Sequence, residues 1–285
     1  MEFSWLIYTI IFIVFQIIFL QTFKYATRNS KNIGAFAVLV QLISAFSILL
    51  FIPLFPWTIP THWLTWVLVG ISLLLFAVND RLDATTRKNL DITTDVMLHQ
   101  WYRILFLFAG IIFLGRAFIP LRLVGALVIV GANIFLLFEK GKFQFNRYVL
   151  LKILSVMFFT AGFTLDVYTS AEFNLPFFVF ISFFMPAIYL MIARQATPRS
   201  LYKEFSRKEW WVILVCGIAQ SIFVFSILRA YQFRNYFVEV ASISAVYVIL
   251  NVIFAYFFLK EKSSPIKKFI ISMIIVSAIA FMTFN

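Results

Sequence analysis

Residues 91–103 read Asp-Ile-Thr-Thr-Asp-Val-Met-Leu-His-Gln-Trp-Tyr-Arg and run straight into the apolar stretch 104–114. That stretch is too short for a bilayer-spanning helix, which needs roughly 20 residues. A span here must therefore start near Asp91 or Ile92, which puts Arg103 close to the bilayer centre. On such a helix Asp95, His99 and Arg103 recur every four residues and share one face. An ionisable stripe at that depth is costly in hydrocarbon, so it has to face a protein interior or a watery cavity. The rest of the chain reads as a scaffold of apolar helices around that cavity.

Composition supports this. Of 285 residues, 63% are hydrophobic and 13% charged, against about 45–50% and about 25% in soluble domains. The chain is therefore expected to be an all-α integral membrane protein. Long continuous apolar runs exclude an outer-membrane barrel, whose strands alternate over ~10 residues. The single Cys216 excludes an internal disulfide. The first apolar segment lacks a basic leader and a small-residue cleavage site and reads as a retained helix. A net charge of +12 would suggest nucleic acid in a soluble protein. Here the cations sit between apolar runs, where orientation and anionic headgroups account for them, and no nucleic acid is expected.

Breaks at proline, glycine and charge divide the chain into ten transmembrane helices. They cover residues 3–27, 34–54, 61–79, 92–114, 121–138, 148–168, 175–192, 210–228, 237–259 and 266–283. Sliding the chain by 145 residues lays Leu114 on Leu259, Pro120 on Pro265, Arg122 on Lys267, Tyr102 on Tyr247 and Trp66 on Trp211. Residues 1–140 and 141–285 thus read as two repeats of five helices. An odd number of spans per repeat forces the two to be inverted, the plan of many secondary transporters, with the site near the midplane. Nineteen of the 24 Lys and Arg residues flank odd-numbered loops and four flank even ones. Loop charge therefore puts the odd loops in the cytoplasm and both termini outside.

Residues 240–284 carry a family resemblance. Ala241-Ser242-Ile243-Ser244-Ala245 opens a helix of small residues, Leu259-Lys260-Glu261 ends it, and Ser264-Pro265 precedes a last apolar helix. In these features, and in its ten-helix architecture, the chain resembles the drug/metabolite transporter superfamily, in the EamA-like group. It departs where Lys260 stands in a small-residue position and where Leu114-Gly115-Arg116 carries arginine in place of the glutamate. The resemblance implies an alternating-access carrier, often an exporter of amino acids or other small metabolites, often coupled to protons. It also implies cytoplasmic termini, the opposite of what loop charge indicates.

Arg103 is the first candidate for substrate, since a guanidinium near midplane can grip a carboxylate or phosphate bidentately, unless an internal ion pair such as Arg103–Asp95 absorbs it. His99 is a candidate proton relay, and Asp95 could share the proton. Trp101 and Tyr102 could stack on a substrate ring. Glu239, Ser244, Tyr247 and Asn251 form a polar face on the ninth span, where an inverted-repeat cavity needs one. Residues 79–88 read as a solvated turn or a cavity lip, and Lys24 as a snorkelling residue.

The function expected is secondary active transport of a small polar metabolite, such as an amino acid or related organic anion, in the direction of export. Protons are the candidate coupling ion and a bacterial inner membrane the expected location. No cofactor, metal or enzymatic activity is expected. An intramembrane enzyme acting on a lipid-linked substrate and a non-transporting assembly subunit are the alternatives. No catalytic spacing stands out among Asp80, Asp83, Asp91 and Asp95.

Overall fold

Thirteen α-helices follow one another along the described part of the chain. They are α1 (Ser4–Arg28), α2 (Ile33–Ile48), α3 (Trp63–Asn89), α4 (Ile92–His99), α5 (Trp101–Leu114), α6 (Pro120–Leu137), α7 (Arg147–Thr169), α8 (Leu175–Ile192), α9 (Pro198–Phe205), α10 (Trp210–Gln232), α11 (Phe237–Ser244), α12 (Tyr247–Phe258) and α13 (Pro265–Phe284). The structure, a computed structural model, describes residues 4–28, 30–114, 120–139, 142–143, 145–193, 196–233, 236–261 and 263–284. Gly115, Arg116, Lys140, Arg194, Arg234 and Lys262, all used in the sequence reading, lie outside them.

Among the described residues the regular structure is helical apart from one two-residue ladder between α6 and α7. Among the described residues, eight helical segments are long and apolar enough to cross a membrane. They include α1, α3, α7, α8, α10, α13, the run Ile33–Leu54 and the broken run Glu239–Phe258. Of the ten expected spans, the fourth is split into α4 and α5 at Gln100. The fifth corresponds to α6, whose apolar segment Leu123–Leu137 is shorter. The outer surface carries exposed Leu50, Trp63, Phe257 and Ile266. So much exposed apolar surface suits hydrocarbon and would be an aggregation hazard in water.

The third span runs longer than the sequence reading placed it. Residues 79–88 complete α3 instead of forming a solvated turn. The physical reason is local: the segment contains no Gly or Pro, and Asp80, Asp83 and Arg87 fall on one helical face that turns inward. The other departure is Lys24. It is 6% exposed and its Nζ donates to the carbonyls of Arg87 (2.7 Å), Lys88 (3.1 Å) and Leu90. A buried ammonium at a helix C-terminus satisfies orphan carbonyls and complements the macrodipole.

Carboxylates serve the opposite ends. Glu204 of α9 accepts the backbone N–H groups of Lys31 and Asn32, both at 3.0 Å, at the start of α2. Glu261, just past α12, accepts from Ile92 N (2.8 Å) and from Thr93 N and Oγ1 (3.3 and 3.0 Å) at the start of α4. Lys268 pairs with Asp91 at 2.8 Å beside it. All these contacts gather at one end of the bundle, where the odd loops meet. At the other end Asn174 donates to the carbonyls of Ile52, Phe55 and Pro56.

The helices pack in related pairs. α1 lies along α10, and α7 lies along α3; α2 faces α8, and α6 faces α13. Two close approaches need glycine. A Cβ on Gly217 would sit 2.6 Å from Ile43 Cγ2 on α2, and one on Gly125 would sit 2.2 Å from Met282 Cγ on α13.

Candidate functional site

A cavity of about 140 Å³ runs through the middle of the bundle, walled by α1, α2, α3, α7, α8 and α10, with His99, Tyr102 and Tyr247 closing one side. Its walls are largely aromatic. Phe12, Phe19, Phe76, Phe159, Phe163 and Phe223 all contribute rings, which accounts for part of the 38 phenylalanines.

A buried ionic network reaches the cavity through Asp83 and Arg87. Lys152 of α7 is fully buried, and its Nζ lies 2.5 Å from Asp83 Oδ1 and 2.9 Å from Asp95 Oδ2. Arg87 reaches Asp83 at 2.6 Å and Asp95 at 3.5 Å, and its guanidinium packs on the rings of Phe19 and Phe23. Thr86 donates to Asp95 at 3.1 Å. Two cations thus balance two carboxylates, which is what lets four ionised groups sit together away from water.

Two further carboxylates line the cavity outside this balance. Asp80 accepts from Gln41 Nε2 and from Asn79 Nδ2 (3.2 Å). Asp166 of α7 accepts from Ser72 Oγ. Among the described residues neither makes an ion pair within 4.0 Å.

The sequence-derived candidates divide into two groups. Tyr102, Tyr247 and His99 are on the cavity wall. The His99 ring sits 4.6 Å from that of Phe159 and 5.2 Å from that of Tyr102, with Nδ1 buried and unpartnered. Arg103 is 9% exposed and engages the break between α11 and α12. Its Nη1 donates to Ala241 O (2.7 Å), its Nη2 to Ser244 Oγ (3.2 Å) and its Nε to Gln100 Oε1 (3.1 Å). Gln100 in turn donates to the Tyr247 hydroxyl at 2.7 Å. One guanidinium therefore ties the break at Gln100 to the break at Ala245, 145 residues further on. Asp95 turns to Lys152 and Arg87 instead of Arg103, because the break at Gln100 takes the two off a common helical face.

The remaining candidates lie away from the cavity. Asn251 accepts from Gln21 Nε2 at 2.8 Å on α1. Glu239 opens α11 half-buried, its Oε2 unpartnered, and Trp101 Nε1 is likewise buried and unpartnered. The sequence reading passed over Asp166 and counted Lys152 among the loop cations. The available signal was their position inside apolar runs, where an ionisable residue is functional by default.

No curated protein matches the chain. A solved structure described only as a crystal structure of protein is similar in fold. Its TM-score is 0.60 at 14% identity, covering 97% of this chain and 96% of that one. Residues 146–283 match the EamA-like transporter family. That segment takes in α7 to α12 and nearly all of α13, and with it the α7, α8, α10 and α12 side of the cavity wall. The chain is an integral membrane protein whose residues 146–283 match the EamA-like transporter family, which is consistent with the drug/metabolite transporter superfamily.

Proposed function

We propose that the protein is a secondary active transporter working by alternating access, built as two inverted five-helix repeats over residues 1–140 and 141–285. The observation that carries this is the pair of broken helices, α4/α5 and α11/α12, interrupted at Gln100 and Ala245 and facing each other beside the central cavity. Discontinuous helices at corresponding positions of two halves are a pointer to the substrate site in such carriers. The packing of α1 on α10 and of α7 on α3 fits the same plan, since the repeat exchanges the two pairs.

In this reading a small organic solute occupies the cavity. His99, Tyr102 and Tyr247 contact it, while Arg103, Ser244 and Gln100 hold the two helix breaks in register. Asp95, Trp101, Glu239 and Asn251 belong to the supporting structure. The end bearing the odd loops faces the cytoplasm of a bacterial inner membrane, and the direction is export, with protons as the coupling ion. Comparing solutes released by cells that do and do not express the protein tests the reading. A solute class released only by expressing cells is the expected result. Equal release, together with no solute exchange by liposomes containing the protein, overturns it.

A further inference from the structure

Two carboxyl groups on the cavity wall have no cation paired with them. Arg87 and Lys152 are matched by Asp83 and Asp95 at 2.5–3.5 Å. Asp80 and Asp166 remain, held only by neutral donors: the amides of Gln41 and Asn79, and the Ser72 hydroxyl. Arg103 is not part of the cavity wall. Its donors are turned to Gln100, Ala241 and Ser244.

A second, independent feature points the same way. Gln41 is 2% exposed and lines the cavity. Its amide nitrogen is fixed toward Asp80, so its Oε1 is an acceptor, and that acceptor is buried without a partner. Gln16 Oε1 and Ser182 Oγ, on the same wall, are also buried without partners. Buried acceptors left unmatched are rare and costly, so a donor is missing from the site. Phenylalanine rings share the wall, and an aromatic ring can attract a cation through its quadrupole.

We infer that the cavity binds an organic amine as its ammonium ion, with an aromatic or similarly flat body. The N–H donors face Asp80 and Gln41, and the body packs among the phenylalanine rings. Asp166 provides a second carboxyl group that an ammonium ion could pair with. Ser72, its donor, precedes Asp80 by eight residues on α3, about 12 Å along the axis. The two carboxyl groups therefore lie at different depths along the cavity, with Asp83 and Arg87 beyond Asp80. This inference rests on the carrier reading for its biological meaning, and it puts a cationic solute in place of the amino acid or organic anion expected from the sequence.

The test is equilibrium dialysis of the purified full-length chain in detergent at pH 7 against radiolabelled phenethylamine and phenylacetate. The two share a body and differ in the sign of the charge. Phenethylamine is expected to bind at least about tenfold more tightly, the scale of one charge-assisted hydrogen bond to a buried carboxylate. Asp80→Asn, which keeps the side-chain shape, should remove that preference, and Asp166→Asn should reduce it, with both variants eluting as the wild type on gel filtration. Equal or tighter binding of phenylacetate overturns the inference. So does absent phenethylamine binding, or an Asp80→Asn variant that elutes normally and keeps the full preference. Binding is read without transport, so these results bear on the inference alone. Tight amine binding with no movement in liposomes would instead overturn the carrier reading.

Discussion

Lys152 Nζ and Asp95 Oδ2 lie 2.9 Å apart, and through this contact α7 of the second half grips α4 of the first. Lys152 also holds Asp83 on α3, so three helices meet on one buried ammonium. Removing one partner from such a group leaves an uncompensated charge in the interior and costs about 3–5 kcal/mol. Lys152→Met is expected to lower the unfolding midpoint in detergent steeply, while Lys152→Arg recovers part of the loss. A Lys152→Met protein as stable as the wild type would show that the network is not a structural tie.

Arg103 connects the two helix breaks without lining the cavity. Arg103→Ala is expected to abolish transport while the folded protein still reaches the membrane. Arg103→Lys keeps the charge but cannot donate in three directions at once. Its maximal rate should fall about tenfold or more with KM little changed, the pattern of a residue that positions the moving parts. A rise in KM alone would make Arg103 a substrate ligand.

Gly217 is where α10 approaches α2. An added Cβ would meet Ile43 Cγ2 at 2.6 Å and Val40 O at 3.0 Å, and overpacking of this kind costs typically about 1–3 kcal/mol. Gly217→Ala should melt earlier than the wild type. Gly70→Ala is the control, because nothing lies within 4 Å of the added atom. Equal behaviour of the two variants would mean the contact relaxes freely.

Glu261 caps α4 from the end of α12, and burial pushes its carboxyl above the ordinary range, partly offset by the Ile92 N–H and by Lys268. A raised carboxyl pKa means that the folded protein holds its proton to higher pH than the unfolded chain does. The corresponding stability is present below the unfolded value, near 4.3, and is lost as pH rises through the folded one. Glu261→Gln, which cannot ionise, should flatten this fall in a series of thermal melts from pH 4 upward. An unchanged pH profile would remove Glu261 as its source.

Much of the architecture could be read along the chain. Apolar runs long enough to cross a bilayer can only be helices, because lipid offers backbone groups no partners. The run 92–114 also revealed its unusual character, since it had to include Arg103 to be long enough. Its interruption at Gln100 was not legible, because no proline or glycine marks it.

What the sequence alone determined, then, was the membrane, the helices, the basic end of the bundle and a polar interior around residues 95–103. What only the tertiary structure decided was the pairing of charges. Asp80, Asp83 and Arg87 read as a surface turn until α3 was seen to continue through them. Lys152 could be matched to Asp95 only once α7 lay against α4, 57 residues apart. Asp80 and Asp166 emerged as carboxyl groups without an ion-pair partner only after Arg87 and Lys152 had been matched to Asp83 and Asp95. Spacing along one helix fixes which residues share a face, but which faces meet is set by packing between segments distant in sequence.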